Sequence, residues 1–257
     1  MTSEHRTAVK VVLNGGFAYL PDAGRSFSRG VIALDGYVFR RVHLRRGLPL
    51  EAGLRFAAEF IRAAGRPMQA FCGCELRIPT RLSRTGFAEF NRRSIAALGS
   101  SGFEIEPVNP AARTNMAPAI GAPTDAALAA FTFAVPSRSS PEAQDFLISG
   151  KPELASNPDR VIATGDISSS GMQEKAAFVL EELQLTVRQL GGYWDRVTAG
   201  QIYTRHSIGD LEGVFASAGL PLTRCTHIPG DPPVFGPDGV PLEFEVDVRS
   251  ITVEETA

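Results

Sequence analysis

Two arginines and a ladder of carboxylates are the residues best placed for chemistry in this chain. In 242–251, Leu242, Phe244, Val246 and Val248 alternate with Glu243, Glu245, Asp247 and Arg249. That period of two gives a strand one apolar face and one charged face. Arg224, in Pro221-Leu-Thr-Arg-Cys, and Arg113, in Pro110-Ala-Ala-Arg, lie on two other predicted strands. A guanidinium on a strand facing a cleft holds a carboxylate through two parallel N–H···O bonds. A carboxylic acid beside such a bound anion can position a water and shuttle a proton, provided its pKa suits. The bland alternatives are surface ion pairs for the arginines and a solvated edge-strand face for the acids.

Other constellations carry less. Cys72 and Cys74 place two thiols on one strand face, but no second pair completes a zinc set, so they read as buried small hydrophobes. Cys225 and His227 stand two apart on a strand, a spacing that rarely brings a nucleophile and its base together. His206, near Tyr203, either lines a cleft or lies on a surface loop. Asn14-Gly-Gly and Pro229-Gly-Asp-Pro-Pro are turns, because no helix start with Lys or Ser/Thr follows to make a phosphate loop. Neither a metal nor an organic cofactor is implied.

The elements that must position these residues form a unit from Arg160 to Val253. An apolar strand (160–167) leads into a Ser-rich run and a helix from Met172 to Leu190. Ala176, Val179, Leu180, Leu183, Val187 and Leu190 form one stripe of that helix. Ser168 to Ser170 can cap its start, and Gly191-Gly192 supplies the stop. A strand (197–204), a short helix (208–218) and strands at 222–227 and 242–251 complete the unit. Upstream the same order recurs: a hairpin over 30–44 turning at Gly36, a helix over 50–64, a strand over 69–78, a helix over 87–98, and strands over 112–120 and 126–135. Gly65 precedes Gly73 by eight residues, as Gly192 precedes Gly200, and Arg113 then falls where Arg224 does. A period this long indicates duplication of a whole domain. The expected organisation is an N-terminal extension or hairpin (1–26), a first domain (27–136), a Ser/Pro-rich linker (137–157) with room for a strand at 146–149, and a second domain (158–257).

These features together resemble the Rid proteins, the YjgF-like reactive intermediate deaminases that act on imines and enamines. The resemblance rests on an apolar strand ending in Thr-Gly, a long helix closing on Leu-Gly-Gly, and a strand ending Ile-Tyr-Thr. It continues in a Pro-x-x-Arg-Cys strand and a closing Glu-x-Glu strand, and spans nearly all of 158–253. It implies an α+β fold of two tandem Rid-like (chorismate-mutase-like) domains, each a mixed sheet with two helices on one face. It also implies a homo-oligomer, a trimer in the family, with sites in clefts between subunits; here, some sites would form between the two repeats. Arg224 matches the family arginine that holds a 2-imino or 2-enamino acid, with Arg113 as its counterpart and Asn115 as a nearby donor. Glu245 matches the family's catalytic glutamate, with Glu243 two residues away as the alternative. Tyr203, Cys225 and Arg249 join the substrate-binding set, Arg249 as a second carboxylate ligand for a diacid such as an aminomuconate. The closing strand of the first unit, 126–135, carries no acid after Asp125, so Arg113 needs one from the other repeat or another chain. The activity implied is cofactor-independent hydrolysis of a carboxylate-bearing imine or enamine to an oxo acid and ammonia. The alternatives are a chorismatase-like cleavage of a carboxylated enol ether, and a non-catalytic binder of small carboxylates.

Composition agrees with a protein of this kind. With 44% apolar and 21% charged residues the chain can bury a core. A net charge of −2 offers no broad electropositive surface for nucleic acid. Three cysteines without an N-terminal apolar signal segment point to a reduced, cytoplasmic setting. No apolar run approaches the ~18 residues that span a bilayer.

Overall fold

A computed structural model describes residues 8–22, 25–103, 109–137, 144–156 and 159–257. The chain opens with β1 (Lys10–Val12), β2 (Phe17–Leu20) and β3 (Gly30–Ala33), then β4 (Tyr37–Pro49), α1 (Leu50–Ala63), β5 (Phe71–Arg77), α2 (Arg84–Ser100), β6 (Ala112–Pro118) and β7 (Ala127–Pro136). It continues through β8 (Phe146–Pro152), β9 (Leu154–Ser156), β10 (Asp159–Val161), α3 (Ser169–Leu190), β11 (Ala199–Tyr203), α4 (Glu212–Ser217), β12 (Cys225–Ile228), β13 (Gly230–Asp231), β14 (Glu245–Ser250) and β15 (Val253–Thr256).

Local sequence explains the helices. On α1, Leu50, Leu54, Ala57, Ala58 and Ile61 make a buried stripe. Ser168 caps α3, its hydroxyl accepting from Gly171 N, and Gly191 ends it at φ 87°, a conformation glycine adopts without a Cβ penalty. Ser83 caps α2 in the same way through Gly86 N.

The strands assemble into two large mixed sheets. One has the order β1-β2-β3-β8-β14-β11-β12, the other β13-β6-β5-β7-β4-β15, and β9 and β10 pair separately. Within these, β6-β5-β7-β4 and β12-β11-β14-β8 share one plan: the first two strands run parallel and the rest antiparallel. Helices α1 and α2 cover the outer face of the first sheet plan and α3 and α4 that of the second. This is the α+β architecture expected, with two helices on one face of each mixed sheet.

Three apolar layers result. Two lie under the helix pairs, and a third, with Phe17, Val31, Phe39, Cys72, Ala112 and Leu147, lies between the sheets. Alternation along each strand assigns faces. Phe244, Val246 and Val248 face α3, so Glu245, Asp247 and Arg249 face the other sheet. Cys74 and Leu76 face the helices of the first sheet, so Glu75 and Arg77 point back.

Three local expectations differ from the structure. Residues 30–44 do not form a hairpin: β3 pairs with β2 and β8, and β4 with β7 and β15. The turn at Gly36 instead carries the chain from one sheet to the other, because each strand finds a longer partner elsewhere. The strand expected at 146–149 within the linker is present but longer, as β8, a central strand of the seven-stranded sheet, and β9 follows it; residues 138–143 and 157–158 of the stretch lie outside the described residues, as do 1–7 and 23–24 of the N-terminal extension. The strand expected over 160–167 stops at Val161, where Ala163 (φ 44°) and Gly165 (φ 70°) turn the chain. Asp145, at the foot of β8, holds the crossings together: its carboxylate accepts from Phe39 N (2.7 Å), Thr252 N (3.0 Å) and Thr252 Oγ1 (2.8 Å).

Candidate active site

The two sheets touch where β6 meets β8, and the chemistry gathers on that seam. Ser149 Oγ accepts from Arg113 N (2.9 Å) and donates to Ser28 O (2.7 Å). Gly150 N donates to Thr114 Oγ1 (3.1 Å). Because Ala112 and Thr114 face the other sheet, Arg113 points toward the helix side. There its guanidinium carbon lies 3.9 Å from the centre of the Phe27 ring, 5.4 Å from Phe87 and 5.6 Å from Phe90, a cation–π box. Asn115, on the same face, turns its carbonyl oxygen to accept from Arg113 Nε and Nη2, both at 3.1 Å. The buried Nη1 has no partner. Burial pulls the Arg113 pKa down to about 10, opposed by Cys74 and Glu245, and leaves it charged at neutral pH. Asn115 thus occupies the fork edge of Nε and Nη2, and the donor offered to a ligand is Nη1.

Glu245 lies across the seam. It is 3% exposed, and its Oε2 is buried without a partner. Its carboxyl packs so closely on Gly150 that a Cβ there would stand 1.9 Å from Oε1. Burial raises the Glu245 pKa well above the usual range, Asp247 and Glu153 add to this, and Arg113 opposes it. A neutral carboxylic acid results. Arg113, whose side chain lies on the helix side of β6, reaches Glu245 through its field and not through contact. A buried guanidinium on β6 and a buried carboxyl on β14 therefore stand on strands from different halves of the chain.

Behind Glu245 the space between the sheets holds an ion network. Arg41 and Arg77 both donate to Glu75. Burial pushes the Glu75 carboxyl up, but Arg77 and Arg41 outweigh it and hold it at about 2. Tyr203 Oη donates to Asp247 Oδ2 (2.7 Å) and also touches Gln201 Oε1. Arg249 grips Glu254 through Nε (2.8 Å) and Nη2 (3.2 Å), while its Nη1 is unpartnered.

A family model described as 2-aminomuconate deaminase CnbZ matches residues 9–255. The chain belongs to this family. A 2-amino-5-chloromuconate deaminase of Comamonas testosteroni is 35% identical to it over 247 residues, 94% of this chain and 96% of that protein. Among solved structures, a chorismatase overlays with a TM-score of 0.51 at 16% identity, covering 91% of this chain and 80% of the other, which is a likeness of fold. The YjgF gene product of E. coli overlays with a TM-score of 0.32 at 10% identity, over 42% of this chain and 80% of its own.

The structure brings Arg113 and Asn115 together on the helix face of β6, sets Glu245 between the sheets beside Gly150, and places the other expected residues elsewhere. Arg224 is exposed at the start of β12, the outer strand of its sheet, and its Nη1 reaches only Val197 O at 3.4 Å. Its counterpart strand β6 is covered by β13 and by the segment carrying Phe27; among the described residues no strand covers β12. Glu243 belongs to a rim cluster with His206 (3.0 Å) and Arg81 (4.0 Å), next to Asp231 and Arg205. Tyr203 is fully buried, so its hydroxyl serves Asp247. Cys225 packs against the α3 core, and burial, with Asp247, pushes its thiol up to about 12. Cys74 is likewise pushed to about 12 by burial. Arg249 is held by Glu254. Among the described residues, no three His, Cys, Asp or Glu side chains gather as a metal site, and no helix is long and apolar enough to cross a membrane. Sequence reasoning missed Ser149, Gly150, Thr114 and the three phenylalanines. The available signal was Gly150 directly after an apolar run, since glycine inside a strand marks a close approach.

Proposed function

We propose that this chain hydrolyses the carbon–nitrogen bond of an aminomuconate-type amino diacid, in its enamine or imine form, to an oxo acid and ammonia. The observation that carries the proposal is the pair of complementary orphans at the seam: Arg113 Nη1, a buried cationic donor, and Glu245, a buried neutral acid. Arg113 Nη1 would take one oxygen of a substrate carboxylate, with the phenyl box excluding water around it. Glu245 would give its proton to the enamine carbon, creating an iminium. Water would then add to the iminium carbon as the Glu245 carboxylate takes one of its protons, and that proton would pass to nitrogen as ammonia leaves. As the carbonyl forms, the hydroxyl left on carbon would return its proton to Glu245, so one water is consumed, ammonia leaves neutral and the acid is regenerated. The family match and the relative that deaminates 2-amino-5-chloromuconate support the substrate class.

The same proposal includes two tandem domains (27–136 and 158–257), on the strength of the shared strand order, with β8 counted into the second. It also includes a homotrimer in the cytoplasm, for which light scattering and fractionation are the tests. The catalytic test is ammonia release from freshly generated 2-aminomuconate, measured against spontaneous hydrolysis. Wild type accelerates it, Arg113→Ala loses about 30- to 150-fold, as expected when a charge-assisted contact of ~2–3 kcal/mol disappears, and Arg224→Ala stays within about threefold. Absence of acceleration in wild type, or full activity in Arg113→Ala, overturns the assignment.

A further inference from the structure

Glu245 and Asp247 stand two apart on β14, on one face, both 3% exposed. Two carboxyls so placed cannot both ionise in a space closed to water, and their surroundings decide which one carries the charge. Asp247 has partners: it accepts from Tyr203 Oη. Burial and Glu75 from β5 push its carboxyl up, whereas Arg249 on its own strand, the Tyr203 hydroxyl and Arg41 from β4 favour its charge, and Arg77 from β5 and Cys225 from β12 also face it. Glu245 has none within hydrogen-bond reach of Oε2, and the charged groups that face it are Asp247, Glu153 and, more remotely, Arg113. Tyr203 has one proton and touches two acceptors, Asp247 and Gln201, so the aspartate sits inside a hydrogen-bonded frame and the glutamate does not.

We infer that Asp247 is a positioning residue for the reaction: as the charged, Tyr203-anchored member of the pair, it keeps Glu245 in the protonated form that donates to substrate. Asp247 touches no substrate in this arrangement. It acts through Glu245, with Tyr203 holding its orientation. The inference rests on the reading of Glu245 as proton donor, and its test separates the two.

The experiment compares wild type, Asp247→Asn and Tyr203→Phe by the pH dependence of kcat/KM on 2-aminomuconate and by carbon-13 NMR titration of the Glu245 carboxyl, assigned by its loss in Glu245→Gln. Two strand residues of the same face lie about 6.6 Å apart, and a charge at that distance in an effective dielectric of about 20 shifts a titration by roughly one to two pH units. Asp247→Asn should therefore move the high-pH limb of kcat/KM, and the NMR midpoint of Glu245, down by that amount. Tyr203→Phe should move both in the same direction by less, since it weakens the hold on the Asp247 charge without removing the carboxyl, and it serves where Asp247→Asn does not fold. An NMR midpoint that stays put in a folded variant overturns the inference whatever the activity. A wild type without deaminase activity removes the proposed function, yet the NMR midpoints still decide whether the pair is coupled as described.

Discussion

Gly150→Ala tests the seam without removing a charge. The added Cβ would lie 1.9 Å from Glu245 Oε1, where real Cβ contacts stay beyond 3.0 Å, so the carboxyl must retreat by at least the difference, 1.1 Å. It would also stand 3.0 Å from Thr114 Cγ2. The obstructed atom is the end of a flexible side chain, so folding suffers modestly: overpacking of this kind costs about 1–3 kcal/mol, a few degrees in Tm for each kcal/mol in a chain of this size. Catalysis suffers more, because a misplacement of about 1 Å of a reacting group costs about 100-fold. The expected result is kcat for 2-aminomuconate down about 100-fold, KM changed little, and a folded protein by circular dichroism. Gly73→Ala is the matched control. Its Cβ would fall 2.4 Å from Leu147 Cδ2 in the apolar layer between the same sheets, at a comparable cost in stability but with no acid displaced. If Gly150→Ala keeps kcat within a fewfold, or if Gly73→Ala loses as much, Glu245 is not the proton donor in the position described.

Three further outcomes follow from the buried charges. Glu245→Gln should abolish turnover and yet raise Tm at pH 8, with no difference at pH 4. The folded pKa is raised, so both states bind the proton in acid, whereas above the unfolded pKa the wild-type fold must keep a proton or bury a charge; equal melting curves at pH 8 would contradict this. Glu75→Gln leaves Arg41 and Arg77 without their shared carboxylate, which should cost about 3–5 kcal/mol in chemical denaturation. The depression of Glu75 from 4.5 to about 2 contributes about 3 kcal/mol to wild type. That contribution is complete above the unfolded pKa and is lost as pH falls through about 2, so an acid titration of the wild type between pH 5 and 2 should show a decline that Glu75→Gln lacks.

What the sequence disclosed divides by range of interaction. The stripes of α1 and α3, their serine and glycine ends, and the alternation of 244–248 are local patterns, and each was readable because a helix or strand face repeats every few residues. The apolar run Phe146-Leu-Ile suggests only a short strand within a linker, since Ser-Gly-Lys-Pro follows; its partners β3 and β14, more than 90 residues away in each direction, make it a central strand. The preference for Arg224 over Arg113 likewise rests on local sequence alone. Arg113 and Arg224 have similar local sequences, but Arg113 lies inside β6 whereas Arg224 ends the turn before β12, and the pairings Gly73↔Ala112 and Gly200↔Cys225 put Thr226, not Arg224, at the position of Arg113. What buries one and exposes the other is supplied by Phe27, Phe87, Phe90 and β13, which the chain delivers from before and far beyond Arg113. The proposed site takes its guanidinium from one sheet plan and its carboxyl, Glu245, from the other, on either side of the seam between β6 and β8. Arg113→Ala and Glu245→Gln should therefore each abolish activity alone, while an equimolar mixture of the two variants should recover none of it if both residues act within one chain, and a fraction of it if the site forms between chains.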